Sequence, residues 1–258
     1  MDTWNPAQYA KFTREREQPF FDLLALVHPA PGMRIVDLGC GPGNLTRTLH
    51  ERLQAGETIG LDRSPRMLDA AGRASLPGGL RFEPGEIESF AGERQYDLIF
   101  SNAALQWVRD HDALIRRLHA ALKPGGQLAF QVPSMQDTTS HTAAEALARS
   151  AMFRGAFADW RAPLFALEPE EYARVLHESG FADQHVRLVI YPHVLPGREE
   201  VVEWMKGTLL TAYEKRLTPG QFDAFVAQYR ELVLPQLDPG RPFFFPFRRV
   251  LCWGRKSG

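Results

Sequence analysis

Two cysteines, Cys40 and Cys252, are all that the 258 residues contain. They match neither a metal-ligand spacing nor a disulfide framework, so a reduced, cytoplasmic setting is expected. An excess of one charge is also missing. Thirty Lys and Arg against 31 Asp and Glu leave a formal net charge of −1 at pH 7, which gives no electrostatic reason for a nucleic-acid partner. Charges of both signs are mixed along the helical stretches, as on solvated faces. Long apolar runs are absent too, and none approaches the length of a membrane span. The N-terminal stretch carries Asp2, Lys11, Arg14, Glu15, Arg16 and Glu17 with no apolar core before them, so no signal peptide is expected. A soluble chain with neither a membrane nor a nucleic-acid partner follows. No repeat or low-complexity tract interrupts it.

Glycine, by contrast, is concentrated. Residues 36–43 read VDLGCGPG, with Gly39, Gly41 and Gly43 directly behind an apolar, β-branched strand. Leu45, Leu49 and Leu53 follow on one face of a helix. A strand, glycine turn and helix in succession suggest a backbone that something approaches closely. The spacing is G-x-G-x-G. A dinucleotide fingerprint needs G-x-G-x-x-G, and Asn44 stands at its sixth position. The missing glycine and a carboxylate at Asp37, which would repel a pyrophosphate, argue against a nicotinamide cofactor.

Strands are predicted at 33–38, 58–62, 80–84, 96–101, 126–133, 185–195 and 245–255. Helical patterns fall at 44–54, 64–75, 111–122, 140–154, 168–179, 199–217 and 219–234. In the first half they alternate, which implies right-handed crossovers and a parallel sheet with its ligand beyond the carboxyl ends of the strands. KPGG at 123–126 reads as the break between a helix and the next strand. One domain of 1–258 is expected: a lid and helix at 1–30, a cofactor-binding core at 31–135, and sheet completion at 136–258 with a helical cap at about 196–240.

Asp62 closes the second strand, where a carboxylate accepts from both hydroxyls of a ribose. Its other reading is a cap for the helix beginning at Ser64 and Pro65. In RDHD at 109–112, Asp110 reads as a helix cap rather than a metal ligand, because no second cluster supplies further ligands. Cys40 reads as a small buried residue.

VDLGCGPG, GLDRSPRML, YDLIFSNAALQWV and LKPGGQLAFQVP occur in that order and resemble the class I S-adenosylmethionine-dependent methyltransferases over about residues 30–135. The resemblance implies an α/β, Rossmann-like, doubly wound, seven-stranded and mostly parallel sheet with helices on both faces, an N-terminal lid and a helical cap insertion. It implies S-adenosyl-L-methionine as cofactor, S-adenosyl-L-homocysteine as product, and no metal. Gly39, Gly41 and Gly43 would line the methionine part, with Asp37 near its ammonium and Asp62 on the ribose. Arg63 and Met67 would border the adenine, Glu86 would accept from its amino group, and Ile87 lies beside it. Asn102 and Ala103 would flank the sulfonium, and Gln106 and Trp107 would line the substrate side.

WNPAQYAKFTRERE, SNAALQW, YPHVL, VVEWMKGT and FPFRRV are similar to the trans-aconitate methyltransferases along nearly the whole chain. That similarity implies methyl transfer to a carboxylate of a small polycarboxylic acid. Arg16, Tyr191, His193, Trp204 and Arg249 would contact the acid, and Trp4 and Tyr9 would close the pocket. The chain departs from the pattern at LLTAY after Thr208 and at SMQD after QVP. Bland readings stand beside these roles: a helical salt bridge for Arg16, a packed strand for Tyr191 and His193, and core positions for Trp107 and Trp204. Strand alternation turns one of Arg248 and Arg249 inward. Two rival functions are a carboxyl methyltransferase for a malonyl-type thioester or another small acid, and a nucleoside-binding module without turnover.

Overall fold

The computed structural model describes residues 13–258, with side chains from residue 17 onward. The expectations for Trp4 and Tyr9, and residues 4–12 of the lid expected at 4–17, lie outside these residues, as does the side chain of Arg16.

Seven strands form one sheet: β1 Arg34–Leu38, β2 Glu57–Asp62, β3 Leu80–Pro84, β4 Tyr96–Asn102, β5 Leu122–Pro133, β6 Phe181–Leu195 and β7 Phe243–Lys256. Their order is β3-β2-β1-β4-β5-β7-β6. β1 pairs in parallel with β2 and β4, as do β2 with β3 and β4 with β5. β7 runs antiparallel to β5. Strand order reverses at β1, so the switch point lies beyond the carboxyl ends of β1 and β4, where open α/β sheets bind ligands. β1 is buried from Ile35 to Leu38 without alternation, as a central parallel strand must be.

The helices are α1 Thr13–Leu24, α2 Asn44–Leu53, α3 Pro65–Ala71, α4 His111–Ala121, α5 Thr139–Ala148, α6 Arg154–Phe157, α7 Pro169–Glu178, α8 Glu199–Lys206, α9 Leu210–Glu214 and α10 Pro219–Val233. Local chemistry sets several of their starts. Ser64 Oγ accepts from the Met67 amide at α3, Asp110 from the Ala113 amide at α4, and Thr218 and Gln221 form a capping box at α10.

The described residues divide into two compact units. One comprises Arg14–Ser134, Phe165–Val189 and Arg249–Gly258. Its core packs Val36, Leu38, Ile99 and Phe130 of the sheet with Leu114 and Leu118 of α4 and Tyr172 and Val175 of α7. The other holds Met135–Leu164 and Ile190–Arg248 and is centred on aromatic rings. Phe157, Tyr213 and Phe225 stack or meet edge to face at 5.2–5.8 Å between centroids.

Three local readings change. β5 already begins at Leu122, and Lys123–Gly126 make an irregularity in its ladder with β4 rather than a break before the strand. The helix expected over 140–154 is two, α5 and α6. The one expected over 199–217 is likewise two, with Gly207 closing α8. Apolar periodicity carries across such interruptions, so it overestimates helix length.

Candidate active site

The carboxyl ends of β1 and β2 meet at the glycine turn. The amides of Gly39 and Cys40 both donate to the Leu61 carbonyl, at 2.8 and 3.0 Å. Gly41 donates to Asp62 Oδ2 at 2.9 Å, and Ser64 to Asp62 Oδ1 at 2.8 Å. Asp62 therefore braces the start of α3 and the turn together. A carboxylate has about four acceptor positions, so two amides leave room for two hydroxyl donors.

The three glycines do different jobs. All have positive φ, at 76°, 55° and 80° for Gly39, Gly41 and Gly43. A Cβ on Gly39 would come within 2.3 Å of Ala104 Cβ, and one on Gly43 within 2.7 Å of Phe82. Those two glycines are demanded by protein packing. A Cβ on Gly41 would meet nothing within 4 Å. Of the three, only Gly41 keeps its Cβ side open for a ligand.

Asp37 is buried behind the turn. Thr46 Oγ1 donates to its Oδ2 at 2.6 Å, while its buried Oδ1 has no hydrogen-bond partner among the described residues. Burial pushes its pKa up to about 7; the Thr46 bond opposes this, and the charge of Asp62 adds to it. A buried carboxylate whose burial disfavours its charge, with an idle oxygen, gains from a cation beside it. Burial also drives the Cys40 thiol far above its ordinary range, so it is no nucleophile.

Across the switch point, Ser101 Oγ donates to the Leu38 carbonyl at 2.8 Å and ties β4 to β1. Asn102 ends β4, and Ala103 turns with φ 57° while its amide donates to the Gln131 carbonyl at 3.0 Å. Gln106 is buried; its Nε2 donates to the Ala103 carbonyl at 2.8 Å, and its Oε1 has no partner among the described residues. Trp107 is half-buried.

Gln131 of β5 donates through Nε2 to Asn102 Oδ1 at 2.7 Å, and its Oε1 accepts from Arg249 Nη1 at 3.0 Å. Arg249 is buried, whereas Arg248 is partly exposed and pairs with Asp137. Met67 is buried, Ile87 half-buried, and Arg63 and Glu86 are exposed. In the other unit, the His193 ring lies 5.2 Å from Trp204, 6.0 Å from Phe247 and 6.4 Å from Tyr191. Among the described residues no group of three or more His, Cys, Asp or Glu side chains could hold a metal ion, and no helix is long and apolar enough to cross a membrane.

Two participants escaped the sequence reading. Gln131 is one. The other is His111, which accepts from the Tyr172 hydroxyl at Nδ1 (2.8 Å) and donates from Nε2 to the Leu105 carbonyl (3.0 Å), holding the segment before Gln106. Burial lowers its pKa, in keeping with a neutral ring between these two partners. Each lies inside a stretch singled out above, RDHD for His111 and LKPGGQLAFQVP for Gln131, but their partners Tyr172, Asn102 and Arg249 are distant in sequence.

A sequence profile of the methyltransferase domain matches residues 9–186. Trans-aconitate 2-methyltransferase of Deinococcus radiodurans is 41% identical over 255 residues, covering 96% of each chain. The protein of that name from Streptomyces avermitilis is 40% identical over 264 residues, covering 99% of this chain and 97% of the relative. The chain belongs to the trans-aconitate 2-methyltransferase family. It is an S-adenosylmethionine-dependent methyltransferase. Solved structures agree on the fold: YcgJ of Bacillus subtilis superposes with a TM-score of 0.65 at 15% identity, covering 94% of this chain and 99% of that one. Phosphoethanolamine N-methyltransferase 2 of Haemonchus contortus, in complex with phosphomonomethylethanolamine and S-adenosylhomocysteine, gives 0.61 at 19% identity over 93% of this chain and 53% of its own.

The residues of this methyltransferase fit its donor. The orphaned Asp37 oxygen suits the ammonium, the open side of Gly41 suits a close backbone approach, and the Asp62 carboxylate suits two hydroxyls.

Proposed function

We propose that this methyltransferase esterifies one carboxylate of a small polycarboxylic acid, trans-aconitate foremost, to its monomethyl ester. The observation that carries the reading is Arg249: a guanidinium buried on the strand antiparallel to β5, opposite Pro133 at the carboxyl end of the sheet. A planar fork of donors there suits a carboxylate, which it meets with paired hydrogen bonds. The names of relatives about 40% identical over nearly the full chain support the same acceptor.

When bound, S-adenosylmethionine supplies an electrophilic methyl carbon on a sulfonium. Asp37, the Gly41 turn and Asp62 would hold it. A carboxylic acid with a pKa of about 4 is already ionised at pH 7, so no residue needs to act as a general base. What remains for the protein is orientation, which supplies roughly 7–11 kcal/mol when reactants are held in line. Arg249 orients the acceptor through a carboxylate other than the one that reacts.

The test is methyl transfer by the purified protein from labelled donor to a panel of di- and tricarboxylic acids, with a malonyl thioester and donor alone as separate arms. Preferred turnover of trans-aconitate is expected. Preference for the thioester would move the assignment to that acceptor class. Donor binding without transfer to any acid would make the chain a nucleoside-binding module.

A further inference from the structure

We propose that Gln131 is a positioning residue that locks Arg249 and Asn102 into one orientation and, as a neutral amide, adds no counter-charge to the guanidinium. The inference rests on the carboxylate-acceptor reading above.

The register places the three side chains together. Asn102 and Gln131 are partners in the β4–β5 ladder, and Arg249 lies opposite Pro133, two residues beyond Gln131 and therefore on the same face of β5. Gln131 is fully buried, and both ends of its amide are used. The direction of the chain of bonds is fixed by chemistry. A guanidinium has donors only, so the Gln131 atom facing Arg249 is the oxygen. Nε2 then faces Asn102, which must answer with Oδ1 and turn its own NH₂ the other way. One cation thus sets the orientation of two amides that crystallography commonly has to assign by inference. The Ala103 amide bonds to the Gln131 carbonyl as well, so the same β5 residue also holds the turn after β4.

A glutamate at 131 would have nearly the same shape and would still accept from Arg249. It would differ in two respects. It would pair the guanidinium with a buried negative charge that competes with an incoming carboxylate, and it would lose the donor to Asn102. A methionine would fill the space and hold neither neighbour.

The experiment measures the acid KM, kcat and calorimetric S-adenosylhomocysteine Kd for wild type, Gln131→Glu and Gln131→Met, with thermal unfolding as the folding check. Gln131→Glu is expected to raise the acid KM by ~10–100-fold, the effect of one charged hydrogen bond, with Kd within about threefold of wild type. Gln131→Met is expected to lower kcat about tenfold or more and to change the acid KM less. A KM for Gln131→Glu within about twofold of wild type would overturn the proposal, as would parallel losses of acid and nucleoside binding in both variants. If Gln131→Glu does not fold, Gln131→Met decides alone: an unchanged kcat overturns the proposal. Wild type that methylates no acid removes the acceptor reading and this inference with it. Wild-type turnover matched by Gln131→Glu removes the inference alone.

Discussion

Replacing Asp37 by asparagine should stabilise the ligand-free enzyme, and more so as pH rises. Asparagine keeps an oxygen that accepts from Thr46 but carries no charge to be desolvated. The folded pKa of about 7 stands above the ordinary 3.8, so between these values the folded state binds more protons than the unfolded state. The stability contributed by Asp37 therefore falls as pH rises through that window and levels off above about 7. At ~1.36 kcal/mol per unit, the full ionisation penalty is about 4 kcal/mol. Roughly half is already lost by about pH 5.5, so the advantage of Asp37→Asn should grow by ~2 kcal/mol between about pH 5.5 and pH 8.5. In a chain of this size that is a widening of about 4–8 °C in the Tm difference between variant and wild type. Differential scanning fluorimetry at the two pH values, with and without S-adenosylhomocysteine, reads it directly. The nucleoside should reverse the order at alkaline pH, because its ammonium gives the Asp37 carboxylate the countercharge that the asparagine amide cannot use. A Tm gap that stays constant with pH would refute the argument that an ionised Asp37 is strained in the unliganded fold.

Four further outcomes follow from the same geometry. Gly39→Ala should lower stability by about 1–3 kcal/mol, because its Cβ meets Ala104 at 2.3 Å. Gly41→Ala, with open space around it, should cost stability only its unfavourable φ of about 1–2 kcal/mol yet weaken S-adenosylhomocysteine at least as much as Gly39→Ala does, by calorimetry. Arg249→Lys should raise the acid KM by ~10–100-fold with the nucleoside Kd unchanged, since an ammonium cannot offer a planar pair of donors. His111→Phe should cost about 2–4 kcal/mol in urea unfolding, because the Tyr172 hydroxyl and the Leu105 carbonyl both lose a buried partner.

Most of the architecture was legible in local pattern. The short, apolar and β-branched stretch ahead of the glycine turn read as a buried strand and is β1, and every later strand begins and ends within a few residues of its period-two or apolar signal. Asp110 announced its helix because capping is a contact between residues three apart, whereas the cap of α3 is Ser64 and not Asp62. Asp62 was legible as two rival roles, ribose carboxylate or helix cap; the cap is Ser64 instead, and Asp62 accepts from the Gly41 and Ser64 amides with acceptor positions left over. Tyr191, His193 and Trp204 sit buried in an aromatic cluster.

Composition and order alone determined that this chain is an α/β protein with a glycine turn between a buried strand and a helix, since propensity and periodicity act over a few residues. Tertiary structure decided which glycine has open space on its Cβ side, which of two adjacent arginines is buried, and that Gln131 stands between Asn102 and Arg249. Those relations join residues 29 and 118 positions apart. Hydrogen bonding and desolvation depend on distance in space, and only the pairing of β4, β5 and β7 brings those side chains within reach of one another.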